Sequence, residues 1–406
     1  MSKLIYLTDR SRIDTREDCE RKRYLNYDFD VEGEAIGIQR RSASLPLLNG
    51  TEIHEAHARL LANAAGFPGA EKWDLESIVE DMKARYRKAV EDRGVYGEVD
   101  LEGLIREQTA LLEAMLRTFA RTWLPRILAD YDVVTIEQPM DWEMAPGLVQ
   151  KLRFDTVLRR KGDGQLVILD YKSMAYISDA WQKKLERATQ TSLYITAAEE
   201  LFGEPVEMAY IGMAKGQWKK ETAQAPAWSG EKIQLTPYLY AYANTNEIGT
   251  IYRTKYTNAK GFKKIRTYEH MTVAEWVSWL FNNERSLVDE LFTFMPPFSP
   301  TPAERNRRVE LIVREELRYI QQIRDYEAMK REALETGNEA LALKAQKYLD
   351  FVAAPMRENS CFKYGASHTC PFYDVCFNEG ALEYVLEDGA FVKRDPHHST
   401  ELEEAA

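Results

Sequence analysis

Two candidate strands, residues 149–159 and 165–172, flank Lys161-Gly162-Asp163-Gly164, and this pair constrains the fold more than any other stretch. A Gly-Asp-Gly tip between apolar runs is a hairpin signal, because glycine accepts the positive φ that a tight turn needs. Upstream, Val133, Val134 and Ile136 are β-branched and lead to Gln138-Pro139, which predicts a strand over 132–142. Downstream, 179–202 reads as a helix ending at Gly203 with Pro205 beyond it, and 206–213 returns as a strand. Three strands, a helix and a strand make an α/β core.

Long helical segments surround that core. Residues 11–27 read as a helix with Ser11 as N-cap and Asp14 three residues on. Residues 51–64 form a second, entered through Asn49-Gly50. Residues 73–92 and 101–129 follow, the latter with Leu104, Leu111, Leu112, Met115, Leu116 and Phe119 at helical spacing. Glycine-rich breaks at 66–69 and 94–97 separate them, and helices are also expected at 302–336 and 338–353.

The polar residues at the strand ends carry the chemistry. The apolar run Leu166-Val167-Ile168-Leu169 ends in Asp170-Tyr171-Lys172, and Asp155 stands 15 positions before Asp170. Two carboxylates at neighbouring strand ends suit Mg²⁺, which takes oxygen ligands and keeps several waters. Lys172 is two residues from Asp170, hence on the same strand face, where it can orient water or offset charge on a phosphate. The plainer alternative is an Asp-Xaa-Lys that closes a strand at the solvent. Gln190 and Tyr194 share one face of the following helix, and His54 lies on the helix after Gly50.

The four cysteines are Cys19, Cys361, Cys370 and Cys376, three of them within 16 residues. Four thiolates can hold a tetrahedral Zn²⁺ or an iron–sulfur cluster, and spacing does not choose between them. Buried thiols without metal are the third reading, and His368 stands two residues before Cys370.

From Tyr252 to Arg266 the chain holds six basic residues and no acid. They are Arg253, Lys255, Lys260, Lys263, Lys264 and Arg266, interleaved with Tyr252, Tyr256 and Phe262. Cations for phosphates and rings for base stacking suit a nucleic-acid channel, and Asn258-Ala259-Lys260-Gly261 suggests a hairpin turn. A solvated surface hairpin is the competing reading.

A net charge of −11 argues against non-specific coating of nucleic acid but leaves room for a local basic groove. No run of 18 or more apolar residues occurs, so no membrane span is expected, and the short apolar start does not make a signal peptide. A cytoplasmic protein is expected. In that compartment disulfides are not.

Taken in order, these motifs resemble the RecB-type branch of the PD-(D/E)xK nuclease superfamily, in particular iron–sulfur exonucleases similar to the CRISPR-adaptation nuclease and phage recombination exonucleases. The segment from Ser11 to Tyr24 around Cys19 is similar to the family's N-terminal cysteine helix, and Gly50 with His54 to its histidine motif. Asp155 and Asp170-Tyr171-Lys172 match its acids and lysine, Gln190 with Tyr194 its next helix, and Cys370 to Cys376 its C-terminal cysteine segment. The eight residues between Cys361 and Cys370 depart from the family's short Cys-x-x-Cys.

The resemblance implies a restriction-endonuclease-like central mixed sheet flanked by helices, with large helical embellishments and the termini joined by a cysteine metal site. It implies Mg²⁺ or Mn²⁺ on His54, Asp155, Asp170 and the Tyr171 carbonyl. Lys172 is then the catalytic lysine, with Gln190 and Tyr194 supporting the site or contacting DNA. Cys19, Cys361, Cys370 and Cys376 would hold a [4Fe–4S] cluster, with structural Zn²⁺ as the alternative. The expected division is 1–50 cysteine helix and lead-in, 51–130 helical region with His54, 131–215 nuclease core, 216–353 basic hairpin and helices, 354–395 cysteine segment and 396–406 disordered tail. The expected function is a DNA exonuclease in recombination, repair or phage DNA processing, in a bacterial cell or phage-infected host, with a recombinase or other recombination protein as a further partner. The rivals are a catalytically silent DNA-binding or recombination-partner module and a phosphohydrolase with structural zinc.

Overall fold

A computed structural model describes residues 6–31, 34–42, 44–68, 70, 72–95, 101–174, 179–214, 250–257, 263–270, 292–362, 370–377, 386–387 and 389–394. The chain divides into two units, one of residues 1–42, 139–152 and 300–406, the other of 43–138 and 153–299.

The second unit is built on a five-stranded mixed sheet. Its strands are β1 (Tyr131–Ile136), β2 (Thr156–Arg160), β3 (Leu166–Met174), β4 (Val206–Ala214) and β5 (Phe292–Phe298), in spatial order β5-β4-β3-β2-β1. β3 and β4 run parallel and the other neighbours antiparallel. β3 takes the centre because Leu166 through Tyr171 are buried on both faces, as an unbroken apolar run requires. The β2–β3 turn is the one the Gly-Asp-Gly sequence predicts. Gly164 adopts φ 78°, and its amide donates to the Arg160 carbonyl at 2.8 Å.

Helices α1 (Leu45–Ala64), α2 (Leu75–Arg93), α3 (Leu101–Thr122) and α4 (Leu124–Asp130) precede the sheet, and α5 (Asp179–Glu186) and α6 (Thr189–Phe202) carry the chain from β3 to β4. Ile53, Leu61, Met82, Tyr86, Leu112, Met115 and Phe119 from the helices join Val167, Leu169, Tyr171 and Ile211 from the sheet in one core. Odd-numbered residues of β3 therefore meet this helical layer, and even-numbered ones face the opposite side.

Several expected elements divide. The stretch 132–142 is two strands: β1 stays in this sheet, while Pro139–Ala145 enters a three-stranded sheet of the other unit. The break is Glu137, held at φ 47°, followed by Gln138 and Pro139, which restricts its predecessor. The stretch 149–159 splits likewise into Leu148–Arg153 and β2, with Phe154 and Asp155 between. α1 begins before residue 51, with Pro46 in its first turn, so Asn49-Gly50 lies inside the helix. The helix expected over 101–129 breaks at Trp123, where Pro125 opens α4, and that over 179–202 breaks between Glu186 and Thr189.

In the first unit, strand Tyr6–Asp9 runs parallel to Leu148–Arg153. Its helix Arg10–Asp18 is capped by Asp9, whose Oδ1 accepts the Arg12 amide at 2.9 Å, and not by Ser11. Extended backbone at Cys19 ends that helix, so the expected 11–27 helix is three pieces: Arg10–Asp18, Glu20–Arg23 and a π-turn at Tyr24–Asp28. The long helix Pro302–Thr336 starts at a Thr301–Glu304 capping box and ends at Gly337 in the left-handed region, and Asn338 caps Glu339–Tyr348. Among the described residues no helix is long and apolar enough to cross a membrane.

Glu316, fully buried on that long helix, gathers the N-terminal segment. It accepts from Thr8 Oγ1 at 2.9 Å, Arg16 Nε at 2.5 Å and Arg23 Nη1 at 3.2 Å. Burial works to raise its pKa, but the Arg23 and Arg16 guanidiniums outweigh this and hold it below the usual range. Glu316→Ala leaves two guanidiniums buried without that carboxylate and should destabilise the protein by roughly 3–5 kcal/mol in urea unfolding. Because the folded pKa is depressed, the stabilisation is present above about pH 4.3 and lost as pH falls through the folded value. Unfolding midpoints should drop on that acid side in the native chain, and Glu316→Gln should show a shallower decline.

Candidate active site

The β2–β3 register places the acids. Its end pair is Thr156 opposite Leu169, so one step further lie Asp155 and Asp170. Asp155 Oδ2 accepts the Tyr171 amide at 2.9 Å. Asp170 is an even-numbered residue of β3 and turns toward α6, where Gln190 Nε2 donates to its Oδ1 at 2.6 Å. Lys172, on the same face, pairs with Asp170 Oδ2. The two acids, the lysine and the glutamine of the sequence reading thus come together in one unit.

α1 delivers the histidine. His54 Nδ1 lies 3.2 Å from Asp155 Oδ2. Burial acts to lower the His54 pKa, but the negative charge of Asp155, its hydrogen bond and Asp170 raise it overall. For Asp155, burial acts upward, and His54, Lys172 and the Tyr171 amide together hold the carboxyl below its ordinary value. One turn further along α1, His57 is fully buried, its ring 4.1 Å from Phe119 and 4.9 Å from Tyr171. Burial first, then the neighbouring His54, pushes its pKa well down, so His57 is a neutral core residue behind the site. Tyr194, one turn after Gln190, packs edge-on against Phe154 at 5.1 Å and props the chain just before Asp155.

The sequence reading missed Glu137. Among the described residues, the set of His, Cys, Asp and Glu side chains whose ligand atoms fall within 4.8 Å of one another is His54, Glu137 and Asp155. Burial, then the charge of Asp155, pushes Glu137 up to about 7, against the pull of Arg153. An acid directly after a β-branched run and two residues before proline was the available signal. Two carboxylates and an imidazole, beside the buried Asp170, form a donor set that fits a divalent cation of the Mg²⁺ or Mn²⁺ type.

The thiols lie in the other unit. Cys19 and Cys361 are buried, Cys370 and Cys376 half-buried, and none is in a disulfide. The Cys370 amide donates to the Cys361 carbonyl at 2.9 Å, which closes the eight-residue gap between them. Burial raises the pKa of Cys361, Cys370 and Cys376, and charge on the neighbouring thiols adds to it, pushing Cys376 up to about 12. Among the described residues, no three of these thiols bring their sulfurs within 4.8 Å of one another. His368 lies outside the described residues.

In the basic segment Thr250–Thr257 pairs antiparallel with Lys263–His270, with Tyr256 opposite Lys264 and Lys255 opposite Ile265, and the expected turn Asn258-Ala259-Lys260-Gly261 lies outside the described residues. Arg253, Lys255, Lys263, Lys264 and Arg266 lie on its strands, and Lys260 and Phe262 fall outside the described residues.

A family model, the PD-(D/E)XK nuclease superfamily, matches residues 10–377. No curated protein matches the chain. The match spans parts of both units, including His54, Glu137, Asp155, Asp170, Lys172, Gln190 and the four cysteines.

Gln190 supplies a hydrogen bond to a buried carboxylate. Gln190→Leu should therefore lower stability by about 1–3 kcal/mol in thermal or urea unfolding. Gln190→Glu should cost more, since it sets a like charge against Asp170.

Proposed function

The chain belongs to the PD-(D/E)XK nuclease superfamily, and from that premise we propose that it is a divalent-cation-dependent deoxyribonuclease of the RecB-type iron–sulfur branch, acting as an exonuclease in recombination, repair or phage DNA processing. The observation that carries this reading is the convergence of His54, Asp155, Asp170 and Lys172 at one end of β2 and β3. A catalytically silent module does not need all four.

His54, Asp155, Asp170 and the Tyr171 carbonyl would hold the cation. When bound, Mg²⁺ or Mn²⁺ supplies Lewis-acid activation of the scissile phosphodiester and of the attacking water. The imidazole ligand makes Mn²⁺ a natural alternative to Mg²⁺. Lys172 orients the water and offsets charge on the phosphoryl oxygens. Gln190 fixes the Asp170 carboxylate through its 2.6 Å hydrogen bond, and Tyr194 supports the Asp155 backbone through Phe154. The basic strands Thr250–Thr257 and Lys263–His270 contribute phosphate contacts, with DNA as the substrate and a recombination protein as the further partner. Cys19, Cys361, Cys370 and Cys376 would hold a structural [4Fe–4S] cluster in a cytoplasmic protein. The hydrogen bonds that fasten Ser360 to Asp18 and Cys370 to Cys361 support one shared centre.

End-labelled single- and double-stranded DNA incubated with Mn²⁺ should be digested from the ends by the native chain. Asp170→Asn and Lys172→Met should each lose about 10²-fold or more in rate. DNA left intact by the native chain sinks the nuclease reading, and equal digestion by Asp170→Asn sinks the assignment of the centre. In anaerobically purified protein, elemental analysis should find iron with acid-labile sulfide, and Cys376→Ser should lower both. Stoichiometric zinc in their place would replace the cluster with the tetrahedral alternative.

A further inference from the structure

Asp170 and Glu137 are each matched by a permanent side-chain cation, and Asp155 by the His54 imidazole. Asp155 faces His54 at 3.2 Å, Asp170 pairs with Lys172, and Glu137 Oε2 lies 2.8 Å from Arg153 Nε. The first two pairs consist of residues already given roles. The third does not, and its members stand at the two breaks that divide the expected strands. Glu137 follows β1, held by its amide donating to the Asp155 carbonyl at 3.2 Å, and Arg153 ends the strand Leu148–Arg153. Glu137 brings an oxygen within 4.8 Å of the ligand atoms of both His54 and Asp155.

We infer that Glu137 is a further ligand of the catalytic cation, and that Arg153 is its counter-charge only in the metal-free chain, released to a DNA phosphate once the cation takes the carboxylate. The inference rests on the nuclease reading and deepens it at the same site. A divalent ion taken by Glu137, with His54 binding as a neutral imidazole, leaves the Arg153 guanidinium without its carboxylate and the site with an excess of positive charge. A phosphodiester is the anion that offsets it. Arg153 can make that exchange because its side chain is 66% exposed, so leaving Glu137 requires no desolvated intermediate. A guanidinium also suits phosphate, which it can grip through two N–H groups. Metal and DNA then bind with positive coupling, since each removes a charge imbalance created by the other.

The test has two arms. Mn²⁺ binding is measured by titration calorimetry on the native chain and on Glu137→Gln, Glu137→Asp and Glu55→Gln. Glu55 is an exposed acid whose field reaches Glu137 but whose carboxylate is engaged by Arg59 and Arg85, so it reports charge without ligation. Glu137→Gln should weaken Mn²⁺ at least about ten-fold, Glu137→Asp less, and Glu55→Gln by no more than about two-fold. Unchanged affinity in Glu137→Gln, or an equal loss in Glu55→Gln, overturns the ligand. Matching melting curves separate these outcomes from misfolding.

In the second arm, fluorescence anisotropy follows binding of a labelled duplex with Ca²⁺, a cation that permits binding without rapid cleavage, or with EDTA. Arg153→Gln should lose roughly five-fold in Ca²⁺ and little in EDTA. An equal loss in both, or none in either, overturns the release. A native chain that binds neither Mn²⁺ nor DNA would remove the nuclease reading itself, a result distinct from failure of Glu137 or Arg153 alone.

Discussion

The antiparallel ladder between β2 and β3 is the constraint on which the site depends. Strand side chains alternate, so a slip of one residue in this register would turn Asp170 and Lys172 toward the helical layer and set Val167 and Leu169 against α6. The register is fixed from both sides. Leu166 to Leu169 are buried on both faces of the sheet, and the Gly164 turn admits one closure of the hairpin. The apolar run that makes β3 a central strand is thus also what aims the face that bears Asp170 and Lys172. Asp155 needs no strand pairing of its own, because the Tyr171 amide holds its carboxylate directly.

Gathering three carboxylates in a half-buried site is costly unless each finds a partner. Here the partners come from three different places: α1 for His54, β3 itself for Lys172, and the end of an adjoining strand for Arg153. Glu137 pays additionally in backbone, since a non-glycine residue at φ 47° costs of order 1–3 kcal/mol. That strain persists because the Asp155 carbonyl holds its amide and Arg153 holds its carboxylate. His57 plays the opposite part. Kept neutral between Phe119 and Tyr171, it fills space behind His54 without adding charge to the site.

The other unit uses charge differently. Arg16, Arg23 and Thr8 converge on Glu316, some 300 positions away in sequence, and Arg318 reaches Glu20 at 2.6 Å. These contacts tie the segment that bears Cys19 to the long helix independently of any metal. The Ser360 hydroxyl donates to the Asp18 carbonyl at 2.6 Å, so the chain beside Cys361 is also fastened to the chain beside Cys19. A metal bound by the four thiols would add to a junction that hydrogen bonds already define.

Local pattern was enough to read the hairpin, the αL glycine cap at Gly203, the paired acids and the lysine. Each depends on residues within one or two elements, where the period of two along a strand or four along a helix decides which side chains share a face. Spacing put Gln190 on one helix face with Tyr194, but only the family resemblance pointed it toward the acids, and its partner Asp170 comes from the packing of α6 on the sheet. What spacing cannot supply is where a chain leaves one sheet for another. The breaks at Glu137 and at Phe154-Asp155 follow from strands joining different units, and a β-branched run before a proline does not announce that. Asp9 displaces Ser11 as cap because the preceding strand ends there, which is a tertiary fact. Glu137 itself is the clearest case. It lies 18 residues from Asp155 and 83 from His54, in no shared period with either. Sequence alone therefore determined that the two acids stand at neighbouring strand ends with the lysine on the face of Asp170. Only the packing of α1 against the sheet, together with the left-handed turn after β1, decided that an imidazole and a third carboxylate would meet them, because convergence of distant side chains is set by how elements pack and not by how residues are spaced.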